Sequence, residues 1–204
     1  MSTPPIQNSG IDRRRDLAES LGTFALSFLV TSVLYGDWRF GLGFVLLILV
    51  HELGHFIEAR RQGLHVALPR FRPLFGAYVL HELNLSPWRN ALIALAGPLA
   101  GGLGAAAAWV VGSAHDSQLL LQLAYWGFLL NAANLLPVGI LDGGAVFRAI
   151  SETWRRPRIR YEDGVPMEAS APERGRAIQI ATLYVLLAAG LVACVLATRN
   201  NGML

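Results

Sequence analysis

The sequence predicts an all-α membrane protein of about five transmembrane helices, one of them broken, with a small β-hairpin-like element between the second and third spans. Three observations predict it. Only 15% of the 204 residues are charged while 53% are hydrophobic, whereas a soluble domain carries about a quarter charged. Apolar runs recur at 20–36, 41–61, 90–112, 119–135 and 177–198, near the ~20 helical residues that a bilayer requires. The arginines fall between alternate runs rather than evenly along the chain.

The first run follows a polar segment ending in Arg13, Arg14 and Arg15. It is longer than the apolar part of a signal peptide, and no small-x-small cleavage site ends it before Tyr35. It is expected to stay as an anchor. The second run rises through Gly41–Val50 into His51, and the third is rich in alanine and glycine.

The fourth run needs dividing. From Leu119 to Ile150 the chain is apolar almost without pause. As one helix it would be about 48 Å long, against a hydrocarbon core of about 30 Å. Pro137 and Gly139 interrupt it, so a helix over 119–135 and a shorter one over 141–154 are expected. Broken backbone at membrane depth survives only where protein buries it or it lines a wet cavity. The segment 134–144 is therefore a candidate site.

Between the second and third runs, 64–86 reads as short strands, with Pro69, Pro73 and Gly76 as breaks. Residues 155–173 hold four arginines and three prolines and read as a cytoplasmic loop. The expected organisation is a cytoplasmic segment 1–19, one membrane-embedded domain 20–198 with its core at 41–154, and a tail 199–204.

Arginine placement sets the orientation. With the N-terminus inside, segments 1–19, 60–89 and 148–176 carry 15 of the 17 arginines, as the cytoplasmic bias of basic residues demands. The net charge of +3 comes without aromatic-basic interleaving, so nucleic acid is not an expected partner. Membrane lipid is. Cys194 is the sole cysteine, which excludes an intrachain disulfide, and it reads as a small packing residue.

The chemistry is concentrated in His51-Glu52-Leu53-Gly54-His55, an H-E-x-x-H pattern. On a helix, positions i and i+4 share a face, so both imidazoles can meet one zinc ion. Glu52 lies beside that face and can take a proton from water. Ionisable groups within a membrane helix are costly and mark function. A snorkelling reading, supported by the nearby Arg60 and Arg61, does not account for His51, about 15 Å into the span.

A catalytic zinc takes three protein ligands and leaves one position open. His81 and Glu82 are possible third ligands through a loop that folds back. Asp142 is preferred. It is the only acid between Asp116 and Glu152, and it follows the Pro137/Gly139 break. Read alone, Asp142 would be a helix N-cap. Asn131 and Asn134 are amides in an apolar span. Asn131 reads as an inter-helix hydrogen-bonding group, and Asn134 as the better catalytic candidate. Gly97, Gly101 and Gly104 read as close-packing residues.

His51–His55 in one membrane helix, Gly97-Pro98 in the next, and then Asn134-Leu-Leu-Pro137-x-x-x-Leu141-Asp142-Gly143 resemble the site-2 protease family of intramembrane zinc metalloproteases. The resemblance covers 41–154 and fits a minimal form without a PDZ or CBS domain. It implies one Zn2+ held by His51, His55 and Asp142. It also implies Glu52 as the catalytic acid/base, and Asn134 as a group that positions the substrate or the developing oxyanion. The implied activity is hydrolysis of a peptide bond in or near the transmembrane segment of a membrane protein, as in regulated intramembrane proteolysis. The implied setting is a bacterial or archaeal cell membrane.

One departure is visible: relatives often carry an asparagine a few residues after the Gly-Pro, where this chain reads Leu99-Ala100-Gly101. Two other classes fit parts of the pattern. Broken helices also mark small transporters, but no internal repeat is present. An inactive protease-like scaffold would not need the intact Glu52.

Overall fold

The computed structural model describes residues 13–64, 66, 68, 70–72, 76–78, 86–154, 160–162, 165–167 and 171–200. Six helices form its body: α1 (Arg13–Tyr35), α2 (Trp38–Arg61), α3 (Pro87–Ala114), α4 (Gln118–Asn134), α5 (Asp142–Trp154) and α6 (Ala171–Asn200). Two short antiparallel ladders accompany them. β1 (Arg70–Arg72) pairs with β2 (Gly76–Tyr78), and β3 (Arg160–Glu162) with β4 (Val165–Met167).

Local chemistry explains most of the boundaries. Asp37 caps α2, its carboxylate accepting the Arg39 amide at 2.8 Å. Gly63, at φ 81°, turns the chain out of α2 in a conformation that a side chain would strain. Pro87 opens α3 at a position where its missing N–H costs nothing. Ser117 caps α4.

Four described helices, α1, α2, α3 and α6, have the length and apolarity to cross a bilayer. The expected count of about five is corrected by α4. At 17 residues it spans only about 25 Å. Its bounds agree with the helix read over 119–135 to within a residue: Ser117 caps its start, and Leu135, ahead of Pro137, closes its end. α5 adds 13 residues after the break.

Other boundaries moved as well. α1 begins at Arg13, so the arginine cluster belongs to the helix rather than preceding it. α6 begins at Ala171, and β3 and β4 lie inside the segment read as a plain loop. Of the stretch expected as a hairpin, 64–86, the described part is a ladder of three residue pairs plus a few flanking positions. The remaining positions there, including His65, His81 and Glu82, lie outside the described residues, as do 1–12 and 201–204.

α3 sits at the centre, packed against α2, α4, α5 and α6. α1 packs on α2, and α6 closes over α4 and α5. The main core joins Ala91, Leu95, Ala105, Phe128, Val146 and Leu191 from α3, α4, α5 and α6. The apolar windows of α2 and α3 are 50% buried, those of α1 and α6 only 11%. Leu29, Val33, Val185 and Leu186 are accordingly exposed. An apolar surface of this extent needs a lipid or protein cover.

Polar ties hold the ends. Arg89 at the start of α3 donates Nε to Gln62 Oε1 at 3.0 Å, and Gln62 Nε2 donates to Glu58 at 2.9 Å. Asp16 of α1 accepts the Leu68 amide at 2.9 Å, fastening the chain that leads into β1.

Candidate metal centre

α2 carries His51 and His55 on the face it turns toward α3 and α4. Both imidazoles and the Glu52 side chain are buried, at 3%, 8% and 4% relative exposure. His51 Nε2 and His55 Nε2 lie 3.1 Å apart. The ring planes are nearly perpendicular, at 80°.

The third group arrives through the break. After α4 ends, Val138 N bonds to Leu136 O at 2.7 Å and Leu141 N to Val138 O at 2.9 Å, turning the chain back. α5 then starts at Asp142. A Cβ on Gly143 would collide with the carbonyls of Leu135 and Leu136, and one on Gly144 with that of Val138. Two glycines therefore let this turn fold directly onto the first turn of α5. Arg148 clamps it from outside by donating to Gly139 O at 2.9 Å, and Tyr184 of α6 donates its hydroxyl to Leu135 O.

The result points the Asp142 carboxylate at the two imidazoles. Its Oδ2 lies 3.2 Å from His51 Nε2, and its Oδ1 lies 3.4 Å from His55 Nε2. Four ligand-capable atoms of three residues, from two distant parts of the chain, thus lie 3.1 to 3.4 Å from their neighbours. Tetrahedral ligands at the zinc–nitrogen distance would stand about 3.3 Å apart.

The far side of each imidazole is held by an oxygen. His55 Nδ1 bonds to Ile93 O of α3 at 2.7 Å, and His51 Nδ1 to Asn131 Oδ1 of α4 at 2.8 Å. Among the described residues, Glu52 Oε2 and Asp142 Oδ2 are buried oxygens without a hydrogen-bond partner. Such atoms are expensive unless a further group satisfies them. Ligand-capable atoms of His51, Glu52 and His55 lie within 4.8 Å of one another, so the three could hold a metal ion. The donor set of two imidazoles and a carboxylate suits zinc.

The chain matches the model of peptidase family M50 over residues 39–118 and 113–167. It belongs to that family. The M50 chain is 32% identical over 167 residues to the zinc metalloprotease Rip3 of Mycobacterium tuberculosis, in two strains, covering 76% of the chain and 40% of Rip3. It is 28% identical over 140 residues to the zinc metalloprotease MJ0392 of Methanocaldococcus jannaschii, covering 63% of the chain and 40% of that protein. The M50 chain thus spans about 40% of the length of each relative it matches. Zinc is the metal of these proteases by name, and the donors at 51, 55 and 142 fit it.

Of the five residues expected at the site, four come together. His51, His55 and Asp142 meet, and Glu52 is buried beside them. Asn134 is half-buried at the last residue of α4, and among the described residues no hydrogen bond joins it to the three. The amide that touches the centre is Asn131. Its inter-helix bond was legible as a buried amide in an apolar run, but its partner was not. Gly97 and Gly101, read as packing residues, also serve the centre. A Cβ at Gly97 would collide with the His55 ring, and one at Gly101 with the Asn131 amide. The bare Gly101 leaves the space that the Asn131 side chain fills.

Proposed function

We propose that the chain is an intramembrane zinc endopeptidase that hydrolyses a peptide bond in or near the transmembrane segment of a membrane protein. The observation that carries this reading is the approach of His51 Nε2, His55 Nε2 and Asp142 to within 3.1–3.4 Å, beside a buried, unpartnered Glu52 Oε2. His51, His55 and Asp142 are the zinc ligands in this reading. Zinc, when held there, polarises the scissile carbonyl and makes water acidic enough to react near neutral pH.

Glu52 accepts the proton of the attacking water and returns it to the leaving amine. Burial keeps competing water from its carboxylate. Asn134 donates an amide hydrogen toward the substrate carbonyl as negative charge develops there. α4 and α5 together make a broken crossing, supported by the short α4 and the turn at 135–141. Arginine placement supports a cytoplasmic N-terminus, and the bacterial and archaeal relatives support a prokaryotic cell membrane.

A substrate helix hides its amides in its own hydrogen bonds and must unwind locally before attack. The β1–β2 ladder offers a strand edge along which an unwound substrate can pair through its backbone. The reading is tested on the purified chain in detergent with a transmembrane substrate. Zinc content and cleavage are measured for the wild type and for Glu52→Gln. A chain that binds no zinc and cuts nothing would favour a carrier or an inactive scaffold.

A further inference from the structure

We propose that Asn131 is a positioning residue of the metal centre, fixing the tautomer of His51 that leaves Nε2 bare to receive zinc. This rests on the zinc-centre reading above. Asn131 has no exposed surface, and its Nδ2 donates to Gly127 O, one turn earlier on α4, at 2.7 Å. A backbone carbonyl only accepts, so the end facing Gly127 is the NH2 group. Oδ1 is thereby committed to the other side, 2.8 Å from His51 Nδ1.

An amide oxygen also only accepts, so His51 Nδ1 carries the proton. A neutral imidazole protonated at Nδ1 has its lone pair at Nε2. That is the atom 3.1 Å from His55 Nε2 and 3.2 Å from Asp142 Oδ2. The Gly127 carbonyl thus determines, through two hydrogen bonds, which nitrogen of His51 meets the metal. His55 is fixed the same way by the Ile93 carbonyl. A backbone carbonyl is available in any sequence, whereas the support of His51 depends on one side chain.

α3 is shaped for that side chain. A Cβ at Gly101 would overlap the Oδ1, Nδ2 and Cγ atoms of Asn131. Gly101 and Asn131 therefore work as a pair: the amide reaches His51 only because α3 has no side chain there. The loss of a plain inter-helix hydrogen bond would register in stability alone. Outer hydrogen bonds to metal-binding histidines register in metal affinity, by 10–100-fold. The two roles therefore separate by measurement.

The experiment uses the full chain in detergent micelles, as wild type, Asn131→Leu and Asn131→Asp. Zinc affinity is measured by competition with a chromophoric chelator. The melting temperature of each zinc-free form is measured alongside it. The ring nitrogens of His51 are read by 15N–1H correlation in histidine-labelled wild-type protein. Asn131→Leu removes the acceptor and is expected to weaken zinc binding about 10–100-fold. Asn131→Asp keeps an acceptor for His51 but loses the donor to Gly127. It should melt lower than the wild type yet bind zinc close to it. Wild-type His51 should show a protonated Nδ1 and a zinc-bound Nε2.

Wild-type affinity in Asn131→Leu would overturn the proposal while leaving the zinc centre standing. So would equal losses in both variants that follow melting temperature. A His51 with bare Nδ1 in the zinc-loaded wild type would overturn it even if neither variant folds. A wild type that takes up no zinc removes the centre and this role together.

Discussion

Gly97 of α3 stands directly behind the His55 imidazole: a Cβ there would collide with its Nε2, Cε1 and Cδ2 atoms. The ring is held between this bare backbone and the Ile93 carbonyl that its Nδ1 meets at 2.7 Å. Gly97→Ala should therefore push the ring off its ligand position. Zinc affinity is expected to fall about tenfold or more. Gly104→Ala is the control, because its added methyl meets only the side chains of Val50 and Leu47. It should bind zinc as the wild type does. Isothermal titration of both variants checks the contrast.

Glu52→Gln should separate metal binding from chemistry. Losing the proton acceptor is expected to cut cleavage by about 10²–10⁴-fold. Zinc content should stay near one per chain, since the ligands are untouched. Stability should hold or rise, because a buried carboxylate with an unpartnered oxygen is replaced by a neutral amide. Metal analysis, cleavage rate and thermal melting of one sample read all three.

Asp142→Ala should abolish the response to zinc. In the wild type, zinc at 100 times its Kd stabilises the folded chain by about 2.7 kcal/mol. Removal by a chelator should lower the melting temperature accordingly. Without the carboxylate that faces both imidazoles, added zinc should no longer raise it. A full zinc shift in Asp142→Ala would return the third-ligand role to another residue.

Tyr184→Phe should loosen the turn that carries Asp142. The Tyr184 hydroxyl bonds to Leu135 O, the carbonyl against which Gly143 packs. Losing that bond is worth about 1 kcal/mol, a fall of ~2–4 °C in melting temperature for a chain of this size. Cleavage should drop severalfold with zinc content unchanged, since the ligand set is complete but its support is weaker. Rates and melts on the same preparation test this.

Tyr78→Pro should impair substrate handling alone. Tyr78 pairs with Arg70 at one end of the β1–β2 ladder, and proline removes a ladder donor. Cleavage of a transmembrane substrate should fall while zinc affinity stays at the wild-type value. Unchanged turnover would remove the strand edge from the reaction.

Much of the site was legible in the chain because its signals are local. His51 and His55 lie four residues apart, and helical periodicity alone puts them on one face. Pro137 and Gly139 break an apolar run that is too long for one crossing, and they mark Asp142 as the residue beyond the break. The boundary at Leu135 follows from the same chemistry. The span count did not, because an apolar run of 17 residues reads as a crossing on composition alone although it reaches only about 25 Å.

The sequence by itself determined a helical, lipid-facing chain with two imidazoles, a carboxylate and a break, since spacing and composition act within a few residues. Tertiary structure alone decided that Asn131 rather than Asn134 meets His51, and that Gly97 and Gly101 are seats for side chains as well as packing points. The reason is geometric: which amide reaches which ring depends on how closely the backbones of α2, α3 and α4 approach and how each helix is rotated. Those quantities are set by the packing of all three together.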